Sequence, residues 1–304
     1  MKNIPLGAKQ VLTTYRKIAI ASWRHPRDPS TYSWMDLPVE EAEAFLKAYP
    51  SEPKPSLTYF VSKIVANCLE EHPDLNHLLR ARNLYRRSQT DIFITTLLNT
   101  ARGKDLSGFV IRDVPAHSLA AVARLAEEAV GRLRRGEDFE TERINAITAK
   151  MPVWLLRLTM ALEDFAHYTL NVSLRRFGLS DDRFGSAIIS NFGVLGIDNA
   201  LVPLSPYCRC PLIVGMGRPR PMPVVRNGAV VVAECITISF TFDHRYADGA
   251  HGGLMMRRFQ KIFLKPGRYA AVFEENAAGE ERAASRAVTT FDAPPTHQSS
   301  AGTG

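Results

Sequence analysis

The sequence predicts an α/β protein, and three observations predict it. Residues 230–242 are mostly Val, Ile, Phe and Thr behind an Asn227-Gly228 turn signal, which reads as a largely buried strand. That strand runs through His244 and an Asp248-Gly249 turn into a helical periodicity over 250–263, with Leu254, Met255, Phe259, Ile262 and Phe263 facing inward. Elsewhere, amphipathic helical stretches at 57–70 and after Pro115 are separated by apolar strand-like runs such as 91–99 and 212–216.

The remaining elements follow in order. Residues 10–23 read as a helix with Val11, Leu12, Tyr15, Ile18 and Ala19 on its apolar stripe. Residues 31–36 look like a strand, and Pro38 opens a helix with acids in its first turn. A Pro-rich connection at 52–55 leads to the helix at 57–70, and residues 84–88 and 91–99 read as a strand pair. Pro115 starts a long helix stopped by Gly136, and a short helix covers 140–150. Residues 185–196 read as a strand entering a glycine-bearing turn, 203–211 as a loop and 212–216 as a buried strand.

With 304 residues, 45% hydrophobic and 23% charged, the chain has enough apolar material for a substantial core. Its net charge of +7 is spread over short clusters such as Arg86/Arg87 and Arg257/Arg258, without an aromatic-rich basic groove, so nucleic-acid binding is not expected. The same charge suits an anionic small ligand. The four cysteines form no disulfide framework, and Cys208-x-Cys210 lacks a second pair at metal spacing, so no metal site is expected. The N-terminal residues lack an apolar signal-peptide core, which points to the cytoplasm.

Imidazole takes and returns a proton near neutral pH, so His244 at the end of a rigid strand suits a general base. Taken alone, it reads equally well as a core histidine and Asp248 as a helix N-cap. The run FTFDHRYADGA over 240–250, however, resembles the signature of the dihydrolipoyl acyltransferase catalytic domain of 2-oxo acid dehydrogenase complexes, and more loosely that of chloramphenicol acetyltransferase. Further segments carry the likeness: Arg16-Lys17-Ile18-Ala19-Ile20 for R-K-x-x-A, Pro73-Asp74-Leu75-Asn76 for P-x-x-N, residues 109–113 (FVIRD) for P-V-I-R-D, 185–196 for G-x-x-F-T-I-S-N-x-G, and 212–216 for I-L-G-V-G.

The resemblance implies an α/β two-layer sandwich, a mixed sheet with helices on one face, assembled as a homotrimer whose active site lies between subunits. It implies His244 as general base, Ser190 as the hydroxyl that stabilises the oxyanion, Asp248 as a support of the histidine loop, and an Arg16 to Asp248 ion pair. Loss of one oxyanion donor typically costs about 3 kcal/mol of barrier. By itself Ser190 beside Asn191 reads as a turn former. Coenzyme A or its acyl thioester is the implied substrate, with a thiol or hydroxyl acceptor.

Residues 1–272 are expected to form the catalytic domain and 273–304 a disordered tail. No lipoyl domain, swinging linker or subunit-binding helix pair precedes residue 8, so a free-standing catalytic domain is expected. Residues 151–177 read as an amphipathic helix inserted relative to the family. Arg157, Glu163, Asp164 and His167 within it argue against a membrane span and favour packing on the domain or a neighbouring subunit over membrane-surface contact. The alternatives are a non-catalytic trimeric scaffold of the same fold and a membrane-associated lipid acyltransferase.

Overall fold

A computed structural model of the chain describes residues 6–11, 28–100, 103–135, 151–177, 179–205 and 207–275. Among these, the strands are β1 Leu6–Lys9, β2 Ser30–Pro38, β3 His77–Arg80, β4 Asn83–Arg87, β5 Ile92–Thr100, β6 Gly103–Ile111, β7 Ala187–Asn191, β8 Leu212–Met216, β9 Arg220–Arg226 and β10 Ala229–Asp243. The α-helices are α1 Glu40–Ala48, α2 Leu57–Glu71, α3 Leu119–Arg134, α4 Val153–Asp164 and α5 Gly249–Leu264.

The main sheet has the order β2-β10-β8-β7-β5-β6, with β9 pairing the first half of β10. The sheet is mixed, because β7 runs parallel to both β5 and β8 while the other pairs are antiparallel. Alternation decides what each face carries. Ile92 and Ile94, Ala187 and Ile189, Leu212 and Val214, and Ile236, Ile238 and Phe240 point to one face. There they pack with α1, α2, α3 and α5 as a single core. Phe93 and Thr95, Ile188 and Ser190, and Ile213 point to the other, which carries no helix of that core. Loop residues 197–205 cross it, with Ser239 and Thr241 hydroxyls donating to Ala200 O and Val202 O at 2.7 Å. This is the expected two-layer arrangement.

The helices are specified locally. Ser56 and Ser118 cap α2 and α3 by accepting from Tyr59 N and Ala121 N. Buried Lys63 of α2 donates to Val114 O at 3.1 Å, Pro115 O at 3.0 Å and His117 O, fixing the turn that precedes α3. Burial pulls its ammonium down to about 8.

Several elements differ from expectation. Residues 84–88 and 91–99 do not pair with each other: β4 joins β1 and β3 in a separate three-stranded sheet, while β5 belongs to the main one. The unexpected β3 turns into β4 through Ala81 and Arg82, both with positive φ (45° and 64°). That geometry usually uses Asn or Gly, so the hairpin leaves no turn signal in the sequence. Pro38 ends β2 and does not start α1; an edge strand tolerates its missing N–H. Leu254 is exposed because it shares its helix face with Arg258 and Lys261, whereas Met255, Phe259, Ile262 and Phe263 form the buried stripe. Phe273, assigned by sequence to the tail, is fully buried and stacks on Phe60 at 4.9 Å. Of the helix expected at 10–23 only Gln10 and Val11 are described, neither of them helical and Val11 exposed; the rest of it, the helix expected at 140–150 and the stop at Gly136 lie outside the described residues.

The 151–177 segment is helical only in part. α4 is followed by a π-helical turn, Phe165–Thr169, and by a short 3-10 turn at Arg175–Phe177. No residue of α4 is buried. Trp154, Leu158, Leu162 and Phe165 follow one another at helical spacing and are each more than half exposed. The segment meets its own domain through Asp164, which pairs with Arg209, and through buried His167 and Tyr168, and it leaves this stripe uncovered.

Candidate active site

His244 stands where β10 leaves the sheet, and backbone bonds fix that point from several directions. Asp243 N donates to Pro211 O and His244 N to Pro29 O, both at 2.9 Å; Tyr246 N and Ala247 N return to Asp243 O at 2.9 and 3.2 Å. Asp243 and Arg245 flank the histidine as a paired carboxylate and guanidinium at 2.6 Å. Buried Tyr246 anchors the loop to the small sheet, its hydroxyl accepting from Leu79 N at 2.9 Å.

The half-buried ring of His244 places Nδ1 2.8 Å from Ala247 O. A carbonyl only accepts, so Nδ1 carries the proton and Nε2 is the basic nitrogen. Asp248 is the N-cap of α5: its Oδ1 accepts from Ala250 N at 3.0 Å and His251 N at 3.1 Å, and lies 2.6 Å from His251 Nδ1. The turn that ends the histidine loop and the start of α5 are thus one hydrogen-bonded unit. Arg16, the implied partner of Asp248, lies outside the described residues.

Ser190 sits near the end of β7, and the polypeptide around β7 is equally constrained. At its start, buried Asp91 accepts from Asp113 N and Arg112 Nη1, both at 2.8 Å, and Asp91 O accepts from Ser186 N at 2.7 Å. Gly185 enters this junction with φ +61°, where an added Cβ would meet Asp91 O at 2.6 Å. At its far end, Asn191 Nδ2 donates to Thr58 Oγ1 at 3.0 Å. Gly193 follows, packed so tightly that a Cβ there would lie 2.6 Å from Gly217 O.

Two cavities converge on Ser190. One of about 760 Å³ opens on the face opposite the helical core and reaches the C-terminal end of α3; it is lined by Phe93, Phe184, Ile188, Ile213, Arg132 and Arg183 among others. The other, about 370 Å³, opens beside the start of α2 and is lined by Ser56, Thr58, Tyr59 and Asn191 among others. Both are also lined by Thr95, Phe109 and Ser190. The sequence reading did not single out Thr95. Its hydroxyl lies 3.2 Å from Ser190 Oγ, a contact created by the parallel β5/β7 register that no local pattern signals.

One chain does not bring Ser190 to His244. Across the sheet Ser190 is level with Gly215, and Gly215 with Ser239. His244 lies farther along β10, at the opposite end of β7 and β8. The backbone separation is roughly 19 Å, from about 16 Å along the strand and about 10 Å across two strand spacings. Neither cavity at Ser190 is lined by His244. Among the described residues no cluster of His, Cys, Asp and Glu is arranged to hold a metal ion.

Against known proteins, residues 155–271 match the family model for the catalytic domain of 2-oxoacid dehydrogenases acyltransferase. The matched segment contains Ser190, His244 and Asp248, and it begins inside the stretch that the sequence reading sets apart as an insertion. A curated relative, the dihydrolipoyllysine-residue acetyltransferase component of the pyruvate dehydrogenase complex of Rhizobium meliloti, is 33% identical over 82 residues. That alignment spans 27% of this chain and only 18% of the relative.

Solved structures share the fold over most of the chain. A probable dihydrolipoamide acetyltransferase of Listeria monocytogenes superposes with a TM-score of 0.56 at 14% identity, covering 89% of this chain and 97% of that one. The dihydrolipoamide acetyltransferase of Azotobacter vinelandii, investigated for the catalytic roles of a serine, a histidine and an asparagine, gives 0.57 at 19% identity, covering 88% and 94%. These two likenesses show a shared fold over more of the chain than the matched segment.

Proposed function

We propose that the protein is an acyltransferase that moves an acyl group between a coenzyme A thioester and a thiol or hydroxyl acceptor, in an active site completed between two copies of the chain. The observation that carries this reading is the His244 ring, held through Nδ1 by its own loop with Nε2 as its basic nitrogen. In the mechanism, Nε2 removes the acceptor's proton, and the acceptor sulfur or oxygen attacks the thioester carbonyl. The Ser190 hydroxyl donates to the oxyanion of the tetrahedral intermediate. Collapse breaks the bond to the leaving thiolate, which takes the proton back from the imidazolium. Asp248 holds the loop and the start of α5 and does not itself handle protons.

Two further observations support the reading. Acyl transfer needs two substrates at one carbonyl, and two cavities meet at Ser190. In the Azotobacter enzyme the investigated asparagine lies four residues beyond the histidine, the position that Asp248 takes here.

The distance from Ser190 to His244 within one chain requires a neighbouring copy, in keeping with the trimer that the resemblance implies. The exposed stripe of α4 suits that assembly. α4 is tied to the 207–209 loop, which adjoins the larger cavity: Arg209 clamps Asp164 at 2.9 and 2.5 Å, Tyr207 stacks edge-on against the cavity residue Phe184, and Cys208 between them lines the cavity. No helix among the described residues is long and apolar enough to cross a membrane.

The test is thiol release from acyl-coenzyme A of graded chain length, with and without dihydrolipoamide. Turnover that is lost in His244→Ala is expected. Absence of turnover with every donor and acceptor, with the trimer intact, would leave the scaffold reading in its place.

A further inference from the structure

On the wall that carries Ser190 the neighbouring side chains are mostly apolar: Phe93, Ile188 and Ile213. Thr95 is the exception. Its Oγ1 lies 3.2 Å from Ser190 Oγ and 3.3 Å from Ile189 O, so it reaches two acceptors with one proton. The two possible arrangements have opposite consequences. If Thr95 donates to Ile189 O, its oxygen can accept the Ser190 proton, which is then turned away from any substrate. If Thr95 donates to Ser190 Oγ, that oxygen is satisfied as an acceptor and its own proton is left to point into the cavity. A serine that accepts one hydrogen bond is also a better donor of the next.

We propose that Thr95 is a positioning residue for the transferase reaction, switching its proton from Ile189 O to Ser190 Oγ as the oxyanion forms and so aiming the Ser190 hydroxyl at it. This rests on the proposed role of Ser190 and adds to it. No bond to carbon changes at Thr95; the hydroxyl only rotates between two acceptors already within reach. The parallel pairing of Ile94 with Ile189 sets this geometry, because it brings the next residue of each strand side by side on the cavity face.

The experiment is a double-mutant cycle in the full chain, with acetyl-coenzyme A and dihydrolipoamide as probes. Thr95→Val keeps the side-chain shape and removes the hydroxyl. It is expected to lower kcat about ten-fold with little change in KM, the loss of one hydrogen bond made in the transition state. Thr95→Ser is expected to restore most of that loss. In a Ser190→Ala background, adding Thr95→Val is expected to cost nothing further, since there is no hydroxyl left to aim. Equal losses from Thr95→Val in both backgrounds, or failure of Thr95→Ser to rescue, would overturn the positioning role while leaving Ser190 in place. Full activity in Ser190→Ala, or no turnover by the unmodified chain, would instead remove the catalytic reading and this inference together.

Discussion

If each active site takes its histidine from one protomer and its serine from the next, two inactive variants should complement each other when mixed. Ser190→Ala retains His244, and His244→Ala retains Ser190. Alone, the first is expected to lose about 100- to 1,000-fold in kcat from the missing oxyanion donor. The second is expected to lose about 100- to 10,000-fold from the missing base. Within one chain the two groups stand at opposite ends of the sheet, so no local rearrangement can join them. In a head-to-tail ring built at random from equal amounts of the two, an interface is intact when a Ser190→Ala chain supplies the histidine and a His244→Ala chain the serine. About one interface in four meets that condition, so the mixture should recover about a quarter of the unmodified activity. The assay is thiol release after the two are unfolded together and refolded. Each variant refolded alone provides the baseline, and circular dichroism checks that both fold. Recovery no greater than that baseline, from mixtures shown to contain both chains in one assembly, would refute an active site shared between protomers.

Three other outcomes are expected. Lys63, held near pKa 8 by burial against 10.5 in the unfolded chain, leaves the unfolded state with the extra proton between those values. Its contribution to stability therefore rises with pH from about 8 to 10.5, by about 3 kcal/mol, and denaturant titrations should show that slope reduced in Lys63→Met. Asp248→Ala should cost about 1 kcal/mol through the lost cap of α5 and lower kcat, whereas Asp248→Asn keeps an accepting oxygen and most of the stability, as thermal melts would show. Trp154→Glu combined with Leu158→Glu should shift the mass measured by light scattering from oligomer to monomer and abolish activity. Unchanged mass with lost sedimentation on anionic vesicles would assign the stripe to a membrane surface instead.

What the sequence made legible follows from where its signals are local. The histidine hairpin was readable because its turn uses Asn227 and Gly228, whose φ values of 51° and 79° are those such residues adopt readily, and because the period changes from 2 to 3.6 after Asp248. The β3–β4 hairpin was not, because Ala81 and Arg82 make the same kind of turn without the usual residues. Ser190 was found through a segment likeness, but its contact with Thr95 depends on strand register between residues far apart in sequence, and periodicity carries no register across a sheet. The apolar character of α4 was equally plain, yet composition says only that a face needs covering and not by what. Its exposure on the single chain turns that question toward neighbouring copies.

The two proposed catalytic groups are each fixed by backbone, and this bears on how the site would work. His244 is set by bonds from Asp243 N and its own N to neighbouring loops, and Ser190 by a strand pinned at Asp91 and Thr58. Neither needs a mobile lid to find its place. Since both are rigid within the protomer, the geometry between them is set by how two protomers dock, and an error of about 1 Å at that interface is worth roughly 100-fold in rate. A lost hydrophobic contact far from either residue, on α4 for instance, would then act on kcat as strongly as a change beside the reacting carbonyl. The hydroxyl rotors of Ser190 and Thr95 are the soft coordinates left once the backbone is fixed. That is why a single threonine on the cavity wall carries weight in this reading.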